Sequence, residues 1–561
     1  MHPGEYDPPT AFEKYYRRKF AEIAEEFFDS AVRDARIDIP ENESKADELH
    51  SIIATHKRMS KKLGSWKWFI GITSVVMGIW AAVIIFSEPG TFSTAHLVIF
   101  WAALTLAVIA VFAKAVPAVI DLSGELAELD RLISARKTEQ LKQLSGIYSS
   151  FSWYTLTSLS MQVLPELRFD PYIKGDRIAD LQKNFGVELP LDEKSSLLSA
   201  SSGSYFGFPF VITRTRDFEM AEKTWEGSLN ISWREHTKDA NGKSITVTRH
   251  ETLYASIDRP APFYSVSTAL FTGHHAAPDL NFSRKPSPVS GKDGFFSSLN
   301  RKLILGKLHR LEQNLTDDLP YTMMSNRDFE VQFHATDRNH EIQFRLLFTP
   351  LAQQQMVKLM NDDLQGYGDD FYFFKQNKAI CLIPAHLQTS SFDGSPFTFK
   401  HFDLRHVKSQ FMSYSQEFFR SIFFAFAPLM CIPLFNENRP PEKFSDSPAV
   451  SHLELETAVN FFGEKNFAHP DSITRNILKI SRCVSDGNCI DASVTAYGFR
   501  GIEHVEYVPR MGGDGKIHQV PVHWIEYIPV SRTSAVRAEI DSSAALSCDL
   551  SRRSLAYFFP R

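Results

Sequence analysis

Apolar positions recur along this chain with three different spacings, and each predicts a different element. Phe12, Tyr16, Phe20, Ile23, Phe27 and Ala31 follow one another at steps of three and four, which lines an aromatic stripe along one helix face. Arg17, Arg18 and Lys19 lie on or beside its flank, and packing against neighbouring helices is preferred over adsorption to a membrane surface. A second helical stretch, Ser44 to Leu63, leads into nineteen residues without a charge, Trp68 to Phe86; seventeen more run from Leu97 to Ala113 and continue through Lys114 and Pro117 to Ile120. A bilayer core of about 30 Å needs roughly twenty helical residues. The runs, joined by the short Ser87–His96 connection, therefore predict a two-helix transmembrane hairpin over 68–120. Lys57, Arg58, Lys61, Lys62 and Lys67 precede it, Lys114, Arg131, Arg136 and Lys137 follow it, and the connection has no Lys or Arg. The positive-inside rule then predicts a two-span protein of the cell (inner) membrane with both termini cytoplasmic. Leu122, Leu126, Leu129, Ile133, Leu141 and Leu144 predict a helical stalk over 121–148.

From about Ser150 the period shortens to two. Leu229, Ile231 and Trp233 alternate with polar residues, Lys238 to Lys243 supplies turn chemistry, and Ile245, Val247, Leu253, Ala255 and Ile257 alternate back, predicting an antiparallel hairpin. Phe329, Val331 and Phe333, then Ile342, Phe344, Leu346 and Phe348, predict a second hairpin, and Phe371–Phe374 with Ala379–Ile383 a third. Ser283 to Ser298 reads as a loop, with helices expected over Lys302–Asn314 and from Thr349-Pro350 to about Asp363, the latter an N-cap followed by proline at the first helical position. Ser421 to Phe435 is nearly apolar but short and contains Pro428 and Pro433, which predicts a core element rather than a third span. A last hairpin is expected around Gly512-Gly-Asp-Gly515. The fold class expected is an N-terminal membrane helical hairpin with juxtamembrane helices, followed by a large cytoplasmic α+β region with mainly antiparallel sheet. The divisions are 1–67 amphipathic helices, 68–120 hairpin, 121–148 stalk, 149–300 β-rich domain, 301–435 α+β domain, 436–530 β-containing region and 531–561 polar tail.

Composition narrows the function classes. The 561 residues carry 61 Lys+Arg against 66 Asp+Glu, and a net charge of −5 gives no electrostatic reason for a nucleic-acid partner. Forty-six Phe supply enough burial to exclude disorder. Five widely spaced cysteines, Cys381, Cys431, Cys483, Cys489 and Cys548, read as reduced thiols rather than a disulfide framework. The sequons at Asn42, Asn230, Asn281 and Asn314 read as chance matches.

Several motifs offer chemistry, each with a plainer explanation. His274-His275, and His334 with Asp337, His340 and Glu341, provide imidazoles and carboxylates of the kind that bind metals; His334 and His340 would lie on opposite arms of the expected second hairpin. Loop and strand-end histidines are commoner than metal sites. Tyr367-Gly-Asp-Asp370 has the letters of a polymerase palm turn, but no third carboxylate strand accompanies it, so solvated acids in a helix-to-strand connection are expected. The Gly512–Gly515 turn lies between alternating strands rather than opening a helix, which favours a hairpin over a phosphate loop. No catalytic residue and no cofactor are expected.

Phe329-Glu-Val-Gln-Phe333, Asp337–Glu341, Phe344–Pro350, Gly227–Trp233, Ala277–Arg284, Tyr367–Phe373 and Val522–Ile528 together resemble an uncharacterised bacterial family of two-span membrane proteins with a cytoplasmic domain of unknown function, found in mollicutes and some other bacteria. The resemblance covers about Phe12 to Val530 and implies an architecture without an activity. The function expected is a membrane-anchored cytoplasmic interaction or scaffold protein, with the lipid bilayer and a protein partner or second copy as its contacts. The alternatives are a membrane-tethered metal-dependent hydrolase, or an accessory subunit of a membrane transport or secretion complex.

Overall fold

The computed structural model describes residues 7–86, 102, 116–152, 154–189, 195–238, 244–286, 324–389, 396–437, 452–486, 489–540 and 556–560. The chain divides into two compact units, one of Ile23–Phe151 with Ser395–Ser415, the other of Met1–Glu22, Ser152–Gly394 and Gln416–Arg561.

The smaller unit is helical. The helices Ile39–Phe86 and Val116–Gln143 run side by side, tied by His56–Asp130 at 3.0 Å and Lys45–Glu139 at 3.4 Å, with Leu49, Ile133 and Phe402 buried together. Phe27, Phe28, Phe151, Phe399 and Phe411 form an aromatic cluster beside them. The side chain of Asn42, fully buried, accepts from the backbone N–H of Leu404 at 3.2 Å, which uses that sequon residue structurally.

Here the transmembrane expectation is corrected. Among the described residues, no helix is long and apolar enough to cross a membrane. Trp68 onward is the last part of the 48-residue helix Ile39–Phe86, and the turns just before it carry Lys57, Arg58, Lys61, Lys62 and Lys67. The second apolar run lies outside the described residues except for Ala102. The two-span hairpin, the inner-membrane location and the orientation inferred from its flanks lose their support.

The larger unit is built on two antiparallel sheets. The first has seven strands: β1 (Leu167–Phe169), β2 (Ser195–Tyr205), β3 (Phe208–Lys238), β4 (Ser244–Gly273), β5 (Asn281–Arg284), β6 (Phe371–Gln376) and β7 (Ala379–Pro384), in the order β1-β2-β3-β4-β7-β6-β5. The second has β8 (Ile477–Asp486), β9 (Cys489–Met511), β10 (Ile517–Ile540) and β11 (Ala556–Pro560), in the order β11-β10-β9-β8. The expected hairpins at 229–257, 371–383 and around Gly512–Gly515 are present, and Gly515 takes φ 73° in the last of these turns. The tail composition does not stop β10, which runs to Ile540.

Two other expectations meet different outcomes. The apolar stretch 421–435 is core: it ends the helix Leu404–Met430, with Ile422, Phe423, Phe426, Cys431 and Ile432 buried. In the larger unit, Phe20 stacks flat on Phe419 at 4.4 Å, and Phe12 meets Phe419, Phe423 and Phe424, so that end of the aromatic stripe packs against a helix. The expected hairpin at 329–348 is instead two helices, Arg327–Phe333 and Glu341–Leu347, followed by the expected one, Pro350–Asn361, capped by Thr349. The helix expected at 302–314 lies outside the described residues.

Most of β3 and β4 extends past its neighbours. β2 pairs with β3 only as far as Asp217 and β7 pairs with β4 only over Leu270–Gly273, so beyond them β3 and β4 are a two-stranded ribbon. At about 3.3 Å per residue, the part beyond Asp217 is about 70 Å long. β9 and β10 likewise leave β8 behind after Tyr497. The two ribbons pack face to face through Trp225, Leu229, Ile231, Leu253, Ala255 and Ile257 on one side and Val508, Val520, Val522 and Trp524 on the other. Arg259 bonds Glu506 and covers the Trp524 ring, and the Gly513 N–H donates to Glu251 at 2.6 Å. The ribbons approach closely at Gly227, where a Cβ would lie 2.1 Å from the Pro521 carbonyl oxygen. Gly227→Val is therefore expected to push the ribbons apart and destabilise by about 2–3 kcal/mol; a denaturation midpoint equal to that of the parent would contradict this packing.

Candidate functional site

The histidine groups were the sequence's candidates for chemistry, and the structure gives each a structural setting. His334 ends the helix Arg327–Phe333 in a left-handed conformation, φ 49°, with its side chain exposed. His340 caps the next helix, its Nδ1 accepting from the Gln343 N–H at 3.3 Å. Asp337 is turned to β5, where it accepts from the Ser283 N–H at 2.9 Å and the Ser283 hydroxyl at 2.5 Å. Glu341 binds Arg338 at 2.7 Å and Arg345 at 3.1 Å. Among the described residues, no group of three or more His, Cys, Asp or Glu is placed to hold a metal ion.

His274 is buried, with its ring 4.0 Å from that of Phe208 and 5.0 Å from that of Phe435. Its Nδ1 accepts from the Ala276 N–H at 2.9 Å, while Nε2 has no hydrogen-bond partner. Burial, reinforced by His275 and Lys375, holds its pKa down at about 3, so the ring is a neutral core group near pH 7. His275 is exposed and lies against the Phe185 and Phe208 rings.

The acids after Tyr367 are engaged by partners rather than left to solvent. Asp369 binds Arg284, the last residue of β5 and fully buried; Arg284 also donates to the Phe371 carbonyl and lies 4.2 Å over the Phe371 ring. Asp370 meets His386 Nδ1 at 2.6 Å, and His386 Nε2 meets the Ser421 carbonyl at 3.0 Å. Tyr367 stacks on that imidazole at 3.9 Å and donates to Glu417 at 2.6 Å; burial and Glu417 push its phenol pKa upward. With both ring nitrogens engaged, His386 acts as a strut between strand and helix.

Sequence reasoning missed Lys375. It follows Phe371 and Phe373 on the inward face of β6 and is itself buried. That alternation was the available signal. Its amine donates to the carbonyls of Ala277, at 2.8 Å, and Asn377, two residues with left-handed backbones, φ 51° and 54°. The amine therefore pins two strained turns together.

The second missed feature is the outer surface of the paired ribbons. On β9 and β10 the even-numbered residues, such as Glu506, Val508, Val522 and Trp524, face β3 and β4. Between Glu503 and Ile525 the odd-numbered residues face away, Val505 being 44% exposed, Tyr507 63%, Met511 69% and Ile517 66%, whereas nearer the base Phe499 is buried against Phe218 of β3. Pro509, Pro521 and Ile525 share this face. The opposite outer surface, on β3 and β4, is polar, with Thr224 bonded to Asp258 and Asn230 to Thr252 around the exposed Tyr254. The arm therefore has one apolar face and one polar face. No protein-family model, curated protein or solved structure matches the chain.

Proposed function

We propose that the protein is an interaction or scaffold protein that works by holding another polypeptide on its two-ribbon arm. The observation that carries this reading is the apolar outward face of β9 and β10, where Tyr507, Met511 and Ile517 stand mostly exposed in a row. Contiguous exposed apolar surface rimmed by polar residues is typical of contact sites between proteins. The candidate histidines and acids support it as well, since their observed contacts are those of caps, struts and core packing.

The test is site-specific crosslinking in cells producing the full chain. A photo-reactive phenylalanine analogue replaces Tyr507 on the apolar face, or Tyr254 on the polar face. Position 507 is expected to give covalent adducts of discrete mass with a polypeptide, and position 254 none. Absence of adducts at 507, or the same adducts from both positions, would overturn the reading.

A further inference from the structure

The four strands of the arm differ in what their edges offer to another strand. Past the points where they leave their neighbours, β4 carries Pro260 and Pro262, β9 carries Pro509, and β10 carries Pro521 and Pro529, whereas β3 runs from Phe218 to Lys238 without a proline. Proline lacks the N–H that a ladder needs, and an unbroken edge is a template on which a further strand adds. Among the described residues, β4 is the only strand paired with β3 beyond Asp217, so the other edge of β3 keeps its backbone groups unpaired. The second ribbon leans away from that edge: β9 lies over β4, through Arg259 with Glu506 and Glu251 with Gly513, and it is β10 that passes Gly227 of β3.

Charge selects the partner and its register. The odd-numbered residues of β3, such as Trp225, Leu229 and Ile231, face β9 and β10, and the even-numbered ones line the polar outer surface. On that outer side Glu222, Glu226 and Arg234 are exposed and have no ion-pair partner among the described residues, whereas Glu235, on the other side, is bonded by Arg249 at 3.0 Å. Two β3 edges laid parallel and in register would set Glu226 against Glu226 and Arg234 against Arg234. Laid antiparallel about Asn230, they set Glu226 of each copy opposite Arg234 of the other, and Glu222 level with position 238, a lysine, with Ser228 opposite Ser232. Of the antiparallel registers, only this one sets both acids opposite a cation. On the inner side it sets Leu229 opposite Ile231, which continues the apolar packing between the ribbons across the axis. A two-fold contact demands this kind of self-complementarity.

We infer that the protein forms a symmetric dimer through the free edge of β3: a second copy adds its own β3 antiparallel, centred on Asn230, and the two arms become one continuous sheet in the order β4-β3-β3-β4. The ladder between the copies supplies main-chain hydrogen bonds, and the opposed charges fix the register. The contact does not involve the apolar face of β9 and β10, which stays free for another polypeptide. Tyr254, on β4, lies a full strand away from the second copy.

Sedimentation of the full chain from about 1 to 200 µM, a range matched to micromolar association, is expected to show a reversible monomer–dimer equilibrium. Glu226→Arg is expected to raise the dimer dissociation constant about tenfold, because the symmetry turns two attractive pairs into two like-charged ones. Glu226→Arg with Arg234→Glu is expected to restore it. Asn230→Cys sets one thiol of each copy opposite the other on the axis, at the roughly 4.5–5.5 Å Cβ separation of directly opposed residues. Mild oxidation of that variant is expected to give a covalent dimer that a reductant reverses. Thr252→Cys, opposite Asn230 on β4, is expected to give no more dimer than the parent chain with its own five cysteines. The substituted side chains of Glu226, Asn230 and Arg234 are exposed, so each variant keeps the packing of the arm. A chain that stays monomeric throughout, a dimer indifferent to Glu226→Arg, a double variant that does not recover, or Asn230→Cys that links no better than Thr252→Cys would overturn the inference.

Discussion

Asp369→Ala is expected to destabilise the protein by about 3–5 kcal/mol, because it leaves the Arg284 guanidinium buried without its counter-charge. Arg284 has no exposed surface, and its remaining contacts are the Phe371 carbonyl, the Met360 sulfur at 3.0 Å and the faces of Phe371 and Phe333. None of these is charged; the Asp370 carboxylate also favours the charged guanidinium through space, but it is engaged by His386. Removing the other partner costs less: Asp369 is 13% exposed, so its carboxylate can reach water when Arg284 becomes Met. Arg284→Met combined with Asp369→Ala removes both charges and should recover most of the loss, since a buried ion pair is often worth no more than apolar residues of similar volume. Chemical denaturation of the three variants checks this order, and a single Asp369→Ala no worse than the double variant would contradict it.

The local pattern of the sequence showed those parts of this fold that local pattern decides. Leu229, Ile231 and Trp233, and then Leu253, Ala255 and Ile257, alternate over long enough stretches that only a strand reading fits, and they lie on the paired strands β3 and β4, with Leu229 opposite Leu253. Phe329, Val331 and Phe333 alternate too, but Phe329 and Phe333 are also four apart, as are Phe344 and Phe348. The structure buries those four phenylalanines and leaves Val331 73% and Ile342 76% exposed, which is the helical solution. Seven residues are too few for the period to arbitrate, and the caps that decide the matter, Asn326 on the Phe329 N–H and His340 on the Gln343 N–H, are legible only afterwards. The site is harder still to read. Arg284 and Asp369 are 85 positions apart, and no spacing rule joins them. The exposed face of β9 and β10 depends on which side β3 and β4 cover, a tertiary choice that alternation alone leaves open.

Stability is expected to rise between pH 7 and about 10, and Lys375 is the reason. Burial pushes its amine from 10.5 down to about 7, with Asp279 pulling weakly the other way. Within that window the unfolded chain holds a proton on Lys375 that the folded chain has released, so raising the pH favours the folded state. Below about pH 7 both states hold the proton, and the penalty of a buried charge is complete. The shift corresponds to roughly 4 kcal/mol across the window. His274 acts in the same direction at lower pH: its pKa falls from 6.5 to about 3, so stability falls as acid protonates the unfolded imidazole first. Lys375→Met forfeits the hydrogen bonds to the Ala277 and Asn377 carbonyls, a loss that does not change with pH because a neutral amine still donates to both. The difference in unfolding free energy between parent and variant, measured from pH 6 to 10, should therefore move steadily in the parent's favour as the pH rises. Parallel curves over that range would show that Lys375 keeps its proton in the folded protein, and that the two left-handed turns are pinned by an ammonium.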